Sequence, residues 1–249
     1  MESLQVSVDE LAHLCHLASL GKLLGGLIHN LNSPLHSLGM QMDVTQHFIL
    51  KKTDSSDDLL EKLSARLVQM NNELENLNNQ IRIAGMRADL MEFPPERLDI
   101  NHFLHQEVQF LKTNLYFKHN VETTLELSPS LHAITAPPLH FGLAMALFLE
   151  RLVEELENLK SSVLFLGTSA EEEHPVIDIR MDNTALSQSF RDTLEMDPRD
   201  PLPISEIPGE MNLFISVLLL RNGGIQLETE LNNQSTSVKL LFPHENGTA

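Results

Sequence analysis

Between positions 60 and 84 the residues Leu60, Leu63, Leu67, Met70, Leu74, Leu77, Ile81 and Ala84 step by three and four in strict alternation. Such a repeat averages close to the period of an α-helix, so it draws one narrow apolar seam along a helical surface. No β-strand uses that period, and a seam of that length has to be covered by other helices. The chain is thereby committed to a coiled coil or a helical bundle.

The first partner for this seam lies upstream. Ser7-Val8-Asp9-Glu10 sets a serine three residues before a glutamate, the pattern of a capping box, and opens a helical pattern that runs to about residue 51. Within it Leu24, Ile28, Leu31, Leu35, Leu38 and Met42 recur at three-and-four spacing and predict a buried stripe. The polar run Lys51-Lys52-Thr53-Asp54-Ser55-Ser56-Asp57-Asp58 makes a turn, so the two helices form an antiparallel hairpin. A lone hairpin has a wide apolar face and little to cover it. Pairing with an identical hairpin into a four-helix bundle solves this, and a homodimer is expected; the alternative is a hairpin that packs only on its own second domain.

His29 falls just off the stripe, toward solvent, five residues before Pro34. A neutral imidazole keeps one unprotonated ring nitrogen near physiological pH, so it can attack a phosphoryl group and hold it as a phosphoramidate. The plain alternative is a surface histidine on a bundle helix. His29-Asn30-Leu31-Asn32-Ser33-Pro34-Leu35 resembles the phosphoacceptor box of sensor histidine kinases, where a histidine is followed by an acidic residue, an apolar one, two mostly polar ones, proline and leucine. The resemblance runs from about residue 17 to 38. It implies that His29 is the phosphoacceptor, with Asn30, Asn32 and Ser33 around it. Asn30 is a departure, because the family has an acid there that helps draw off the imidazole proton during attack on ATP. In related kinases the places of Asn30 and Ser33 also carry an acid and an amide or hydroxyl that position water for dephosphorylating the partner, and the missing acid argues against phosphatase work.

Phe93-Pro94-Pro95-Glu96-Arg97 breaks the helical pattern and divides the chain into domains 1–92 and 93–249. Beyond it the patterning predicts an extended lead-in at 98–100, a helix over 101–116, a strand over 121–127 stopped by Ser128-Pro129-Ser130, and a strongly apolar helix over 139–156. Strands at 163–166 and 176–181 flank an acidic turn with Glu171, Glu172 and Glu173. The proline-rich stretch 187–208 reads as a long loop, a helix over 211–221 is ended by Gly223 and Gly224, and strands at 225–230 and 237–242 follow. The predicted fold class is α plus α/β, a helical hairpin followed by a kinase-like sandwich with helices on one face of a mixed sheet.

This order resembles the ATP-binding domain of the same kinases over about residues 96–243. The strand Val176-Ile177-Asp178-Ile179-Arg180-Met181 leads to Asp182 and Asn183, the places where the resemblance implies nucleotide contact. The family then has a glycine, a variable residue and a second glycine, where this chain has Thr184, Ala185 and Leu186. Gly209-Glu210-Met211-Asn212 keeps only the first glycine of the second glycine-rich box, while Asn222-Gly223-Gly224-Ile225 matches the usual end of the next helix. Glycines there let backbone approach phosphate, and larger side chains occupy that space. The family's magnesium-holding asparagine falls, by spacing, on Glu150 or Arg151. ATP and magnesium binding are expected to be lost, and no metal site is assigned.

The formal net charge of -18, from 35 acidic and 17 basic residues, argues against nucleic-acid and anionic-membrane partners. One cysteine, Cys15, precludes an intrachain disulfide and fits a reducing compartment; it reads as a small core residue. No apolar run approaching a membrane span and no basic leader are evident, so a cytoplasmic protein is expected. His13 and His16, three apart, read as helix-surface residues rather than metal ligands, and His36 as a solvated side chain. Taken together, the reading is a two-component phosphorelay protein exchanging phosphoryl between His29 and the aspartates of response-regulator receiver domains. An active ATP-dependent histidine kinase and a non-catalytic dimeric adaptor are the alternatives.

Overall fold

A computed structural model describes residues 7–51, 56–88, 97–131, 133–135, 140–171, 174–182, 186–196, 210–232 and 235–243. Their contacts divide into two compact units, Leu20–Ala88 and the described residues up to Ser19 together with those after Ala88.

The first unit is a helical hairpin made of α1 (Val8–Lys51) from Leu20 onward and α2 (Ser56–Ala88). The predicted capping box is formed: Glu10 N donates to Ser7 Oγ at 3.2 Å and Ser7 N donates to Glu10 Oε2 at 2.8 Å. Donation from Ser7 N, and from Ser7 Oγ at 3.0 Å, holds the Glu10 carboxyl below the usual glutamate range. Further along, Ser37 Oγ donates to Glu73 Oε1 at 3.1 Å, Arg66 Nη1 donates to Gln41 Oε1 at 2.7 Å, and the Lys62 and Arg66 cations lie 5.8 and 5.2 Å from the Phe48 ring centre. These contacts fix α1 and α2 antiparallel.

The apolar seam divides by heptad position. Leu38 and Leu77 are buried, and Leu31, Leu63, Met70 and Ala84 half-buried, between the two helices. The alternate positions, Ile28, Leu35, Met42 and Ile49 of α1 with Leu60, Leu67, Leu74 and Ile81 of α2, are 49% to 64% exposed. The sequence predicted one buried stripe on α1; within a single chain Leu24, Ile28, Leu35 and Met42 are exposed instead. The reason is geometric, since one neighbouring helix covers only about half of a seam that is two heptad positions wide. By length and composition Glu10–Leu50 is also apolar enough to cross a membrane, contrary to the expectation that no run approaches a span. Its middle nevertheless carries His29, Asn30, Asn32, Ser33 and His36, and its apolar residues are shared between two faces, as in a bundle helix.

The second unit is an α/β sandwich. Its elements are β1 (Arg97–Leu98), α3 (Ile100–Leu111), α4 (Leu115–Asn120), β2 (Glu122–Leu127), β3 (Ile134–Thr135), α5 (Phe141–Leu159), β4 (Val163–Glu171), β5 (His174–Asp182), α6 (Gln188–Glu195), α7 (Met211–Asn222), β6 (Gln226–Asn232) and β7 (Ser235–Leu241). A mixed sheet runs β2-β4-β5-β7-β6, with β2 parallel to β4 and the other pairs antiparallel; β1 and β3 form a separate antiparallel pair. Alternation turns Leu164, Leu166, Ile177, Ile179, Met181, Val238 and Leu240 into a core shared with Leu104, Phe148 and Leu152 of the helices. On the opposite face Arg180 lies over the Phe165 ring at 3.6 Å. That ring lies across Gly167, where an added Cβ would come within 2.8 Å of it.

Two predicted elements differ. The helix over 101–116 is two helices, because Asn114 caps a new one by accepting from Phe117 N at 3.0 Å. The loop over 187–208 contains α6, started by Ser187 accepting from Phe190 N at 3.4 Å and held by buried Phe190, Thr193 and Leu194. Eight residues are too few for a periodic signal. The rest of that stretch lies outside the described residues.

The first turns of α1 belong to this second unit. Ala12 is fully buried in its core, Leu11 and Cys15 pack against it, and Ser19 Oγ donates to both Glu150 carboxylate oxygens at 3.4 Å. Burial raises the Cys15 thiol above its ordinary range. His13 is exposed as predicted, but His16 is buried, because it shares the Ala12 side of the helix.

Candidate functional site

On α1, His29 is exposed, and no hydrogen bond, ion pair or ring contact engages its imidazole among the described residues. The helical repeat places Gly25 and Ser33 one turn to either side and Asn32 beside them, all exposed. An added Cβ at Gly25 would meet nothing within 4 Å. Asn30, by contrast, is half-buried and already has a bonding partner, and Pro34 is buried. Proline has no N–H to give to the carbonyl four residues back, which here is that of Asn30. The sequence-selected set therefore divides: His29, Asn32 and Ser33 share the exposed side, and Asn30 turns inward. His36, two turns on, is exposed as expected.

The second set lies in the α/β unit. Asp182 ends β5, in register with Ser235 of β7; Asn183, Thr184, Ala185 and Gly209 lie outside the described residues. Leu186, at a place where the resemblance implies glycine, buries its side chain in the core. Of the two residues left open for the metal position, Glu150 is half-buried and accepts from Ser19, while Arg151 is buried in an ionic cluster.

That cluster was not selected from sequence. Arg151 Nε donates to Glu210 Oε2 at 2.8 Å; its Nη2 donates to Glu210 Oε1 at 2.6 Å and to Glu155 Oε2 at 2.9 Å. Ser189 Oγ donates to Glu210 Oε1 at 3.0 Å, and Ser187 N donates to Glu155 Oε1 at 2.6 Å. The Phe190 ring centre lies 5.2 Å from the guanidinium carbon. Burial alone would raise the Glu155 carboxyl, yet the Ser187 and Arg151 donors hold it below the usual range. Burial likewise opposes the charge on Arg151, and the Glu210 and Glu155 carboxylates outweigh it and raise its pKa. The i,i+4 pair Arg151 and Glu155 inside an apolar helix was the legible signal; Glu210, 59 positions on, gave none.

These residues do not fit a magnesium–nucleotide complex. A buried guanidinium cannot ligate a cation and repels one, and its two carboxylate neighbours are already spent on it. Among the described residues no three His, Cys, Asp or Glu side chains are grouped to hold a metal ion.

No family model and no curated protein matches the sequence. Among solved structures the chain is similar to a bacterial phosphotransferase, at 12% identity and TM-score 0.43 over 90% of this chain and 96% of that one. It is similar to the Acinetobacter baumannii histidine kinase AdeS, at 11% identity and TM-score 0.45 over 88% and 98% of the two chains. It is also similar to the histidine kinase domain of the E. coli osmosensor EnvZ, at 15% identity and TM-score 0.44 over 63% and 93%. The chain's own element order, a long helical hairpin and then a sandwich with a mixed five-stranded sheet, is the one predicted from its sequence.

Proposed function

We propose that this protein is a cytoplasmic two-component phosphorelay component that carries a phosphoryl group on His29 and exchanges it with receiver-domain aspartates. The observation that carries this reading is an exposed imidazole, unengaged among the described residues, in a phosphoacceptor-like box. The α/β unit supports it, since Glu150 and Arg151, the two residues that spacing offers for the family's magnesium position, are engaged by Ser19 and by the buried Glu210 and Glu155 carboxylates.

In this mechanism a receiver bearing an aspartyl phosphate docks on the exposed side of α1. A ring nitrogen of His29 attacks phosphorus in line, the N–P bond forms, the acyl P–O bond breaks, and the receiver aspartate leaves as a carboxylate. A second receiver reverses the step and takes the group. An acyl phosphate is already reactive, so the site has to position rather than activate it, and the neutral Asn30 is no handicap. Asn32 and Ser33, exposed on the same side of α1, would donate to phosphoryl oxygens in this mechanism.

The eight outward apolar residues of α1 and α2 support a homodimer. They line up along one side of the hairpin as exposed apolar residues that call for cover, and a second copy supplies the same four levels of residues.

The test is incubation with a panel of phosphorylated receivers, with and without ATP. Label on His29 from receivers alone is the expected result. Label only from ATP would make the protein a kinase, and binding without label, unchanged in His29→Ala, would make it an adaptor.

A further inference from the structure

The Arg151 cluster has the make-up of a ligand site. Glu210 stands at the start of α7, and its carboxylate is gripped by three donors from two other helices: Arg151 Nε at 2.8 Å, Arg151 Nη2 at 2.6 Å and Ser189 Oγ at 3.0 Å. Two parallel N–H bonds from a guanidinium plus a hydroxyl is the geometry by which proteins hold a free oxyanion. Arg151 is 6% exposed, and its Nη1 is buried without a hydrogen-bond partner, so the chain has not used up its donors.

Charge argues in the same direction. Arg151 is already neutralised by Glu155, which is itself fixed by Ser187 N. A pair that is neutral without Glu210 nonetheless takes a second carboxylate into the interior, beside the N-terminus of a twelve-residue helix, where the backbone dipole favours negative charge. Donors come from α5 and α6 and the anion from α7, so the site is built by three elements and holds its shape through Phe190, packed on both Arg151 and Phe148.

We infer that Arg151 and Ser189 form an oxyanion-binding cradle that is occupied in cis by the Glu210 carboxylate, and that its vacated form takes a small carboxylate from solution. The side chain acts as a tethered ligand, and the α/β unit keeps its packing without borrowing an anion. This goes beyond the phosphorelay reading and does not depend on His29.

Thermal unfolding of the full chain tests it. Glu210→Ala removes a CH2–carboxylate, a fragment of the size and charge of acetate. The variant is expected to melt several degrees below the parent in sodium chloride and to recover at least half of that loss when sodium acetate replaces the chloride at equal ionic strength. The parent should not respond, nor should Arg151→Met/Glu210→Ala, which lacks the guanidinium, nor Glu210→Gln, which fills the space. If Glu210→Ala does not fold in chloride, refolding in acetate is the readout, and folding there supports the cradle. A Glu210→Ala variant that melts like the parent, or one that responds to acetate no more than to chloride or fails to fold in either, overturns it.

Discussion

Ser37 Oγ donates to Glu73 Oε1 across the hairpin at 3.1 Å, and this bond sets Leu35 of α1 level with Leu74 of α2 on the outer side. The heptad repeat then brings Ile28 level with Ile81, Met42 with Leu67 and Ile49 with Leu60. Four two-residue levels left exposed among the described residues are what one half of the proposed four-helix bundle would present. Each leucine-sized side chain gains about 1.5–3 kcal/mol on burial. Leu35→Asp or Leu74→Asp puts a charge into the level twice, once per copy, and is expected to weaken the dimer at least a hundredfold, about 3 kcal/mol or more. Sedimentation over a concentration series reads this; a variant that remains dimeric at the parent's dissociation constant rules out that face.

Among the described residues His29 makes no bond whose loss would disturb the hairpin. His29→Gln should therefore melt within about a degree of the parent, bind a receiver within about twofold, and accept no phosphoryl group. Transfer that persists in this variant would move the acceptor elsewhere.

Gly25 costs helix stability without an evident return inside the chain, because a Cβ there meets nothing. Gly25→Ala should raise hairpin stability by about 0.5–1 kcal/mol, measured by denaturant unfolding. The added methyl stands one turn from His29 on the side where the proposed receiver would dock, so transfer should slow while stability rises. Both changes upward would mean that the glycine is not there to admit a partner.

Much of this architecture was legible because its signals are periodic. The seam from Leu60 to Ala84 announced α2, Ser7 and Glu10 announced the start of α1, and the box around His29 singled out one imidazole among 12. The elements that escaped are those set by single side chains or by tertiary pairing. Asn114 ends one helix and begins another with one hydrogen bond, and α6 is too short to repeat. Burial of His16 depends on where Ala12 packs, which the helical pattern alone does not tell. The cradle escaped for a related reason: Arg151 and Glu155 are visible as a helical pair, whereas Glu210 joins them only through the fold. The apolar stripe of α1 was legible as a stripe, but Leu24, Ile28, Leu35 and Met42 are exposed within one chain, since periodicity reports that a surface needs cover and not who covers it.

Thr45 occupies an inward heptad position between Leu38 and the hairpin turn, with its hydroxyl buried and without a hydrogen-bond partner. A buried unsatisfied hydroxyl costs about 1–3 kcal/mol, part of which valine of the same shape recovers. Thr45→Val is expected to stabilise the protein by about 0.5–1 kcal/mol in urea unfolding and to leave transfer to His29 unchanged. Destabilisation would show that the hydroxyl is satisfied in solution.

The Glu155 carboxyl is held below the ordinary glutamate value of 4.5 by the Ser187 and Arg151 donors, against the opposing effect of burial. A depressed folded value means that the unfolded chain binds the proton more readily, so stability from this group is fully present above pH 4.5 and is lost as pH falls through the folded value. Glu155→Gln removes the charge at every pH and leaves Ser187 N and Arg151 facing an amide. It should cost about 3 kcal/mol at pH 7, the usual scale for breaking a buried pair from one side. The gap between parent and variant should then narrow as pH is lowered below 4.5, because the parent is losing the same charge. Urea unfolding of both proteins from pH 7 to pH 3 measures the gap directly. A difference that stays constant across that range would mean that Glu155 acts through its shape alone, and that Ser187 and Arg151 would bind an amide as well as a carboxylate.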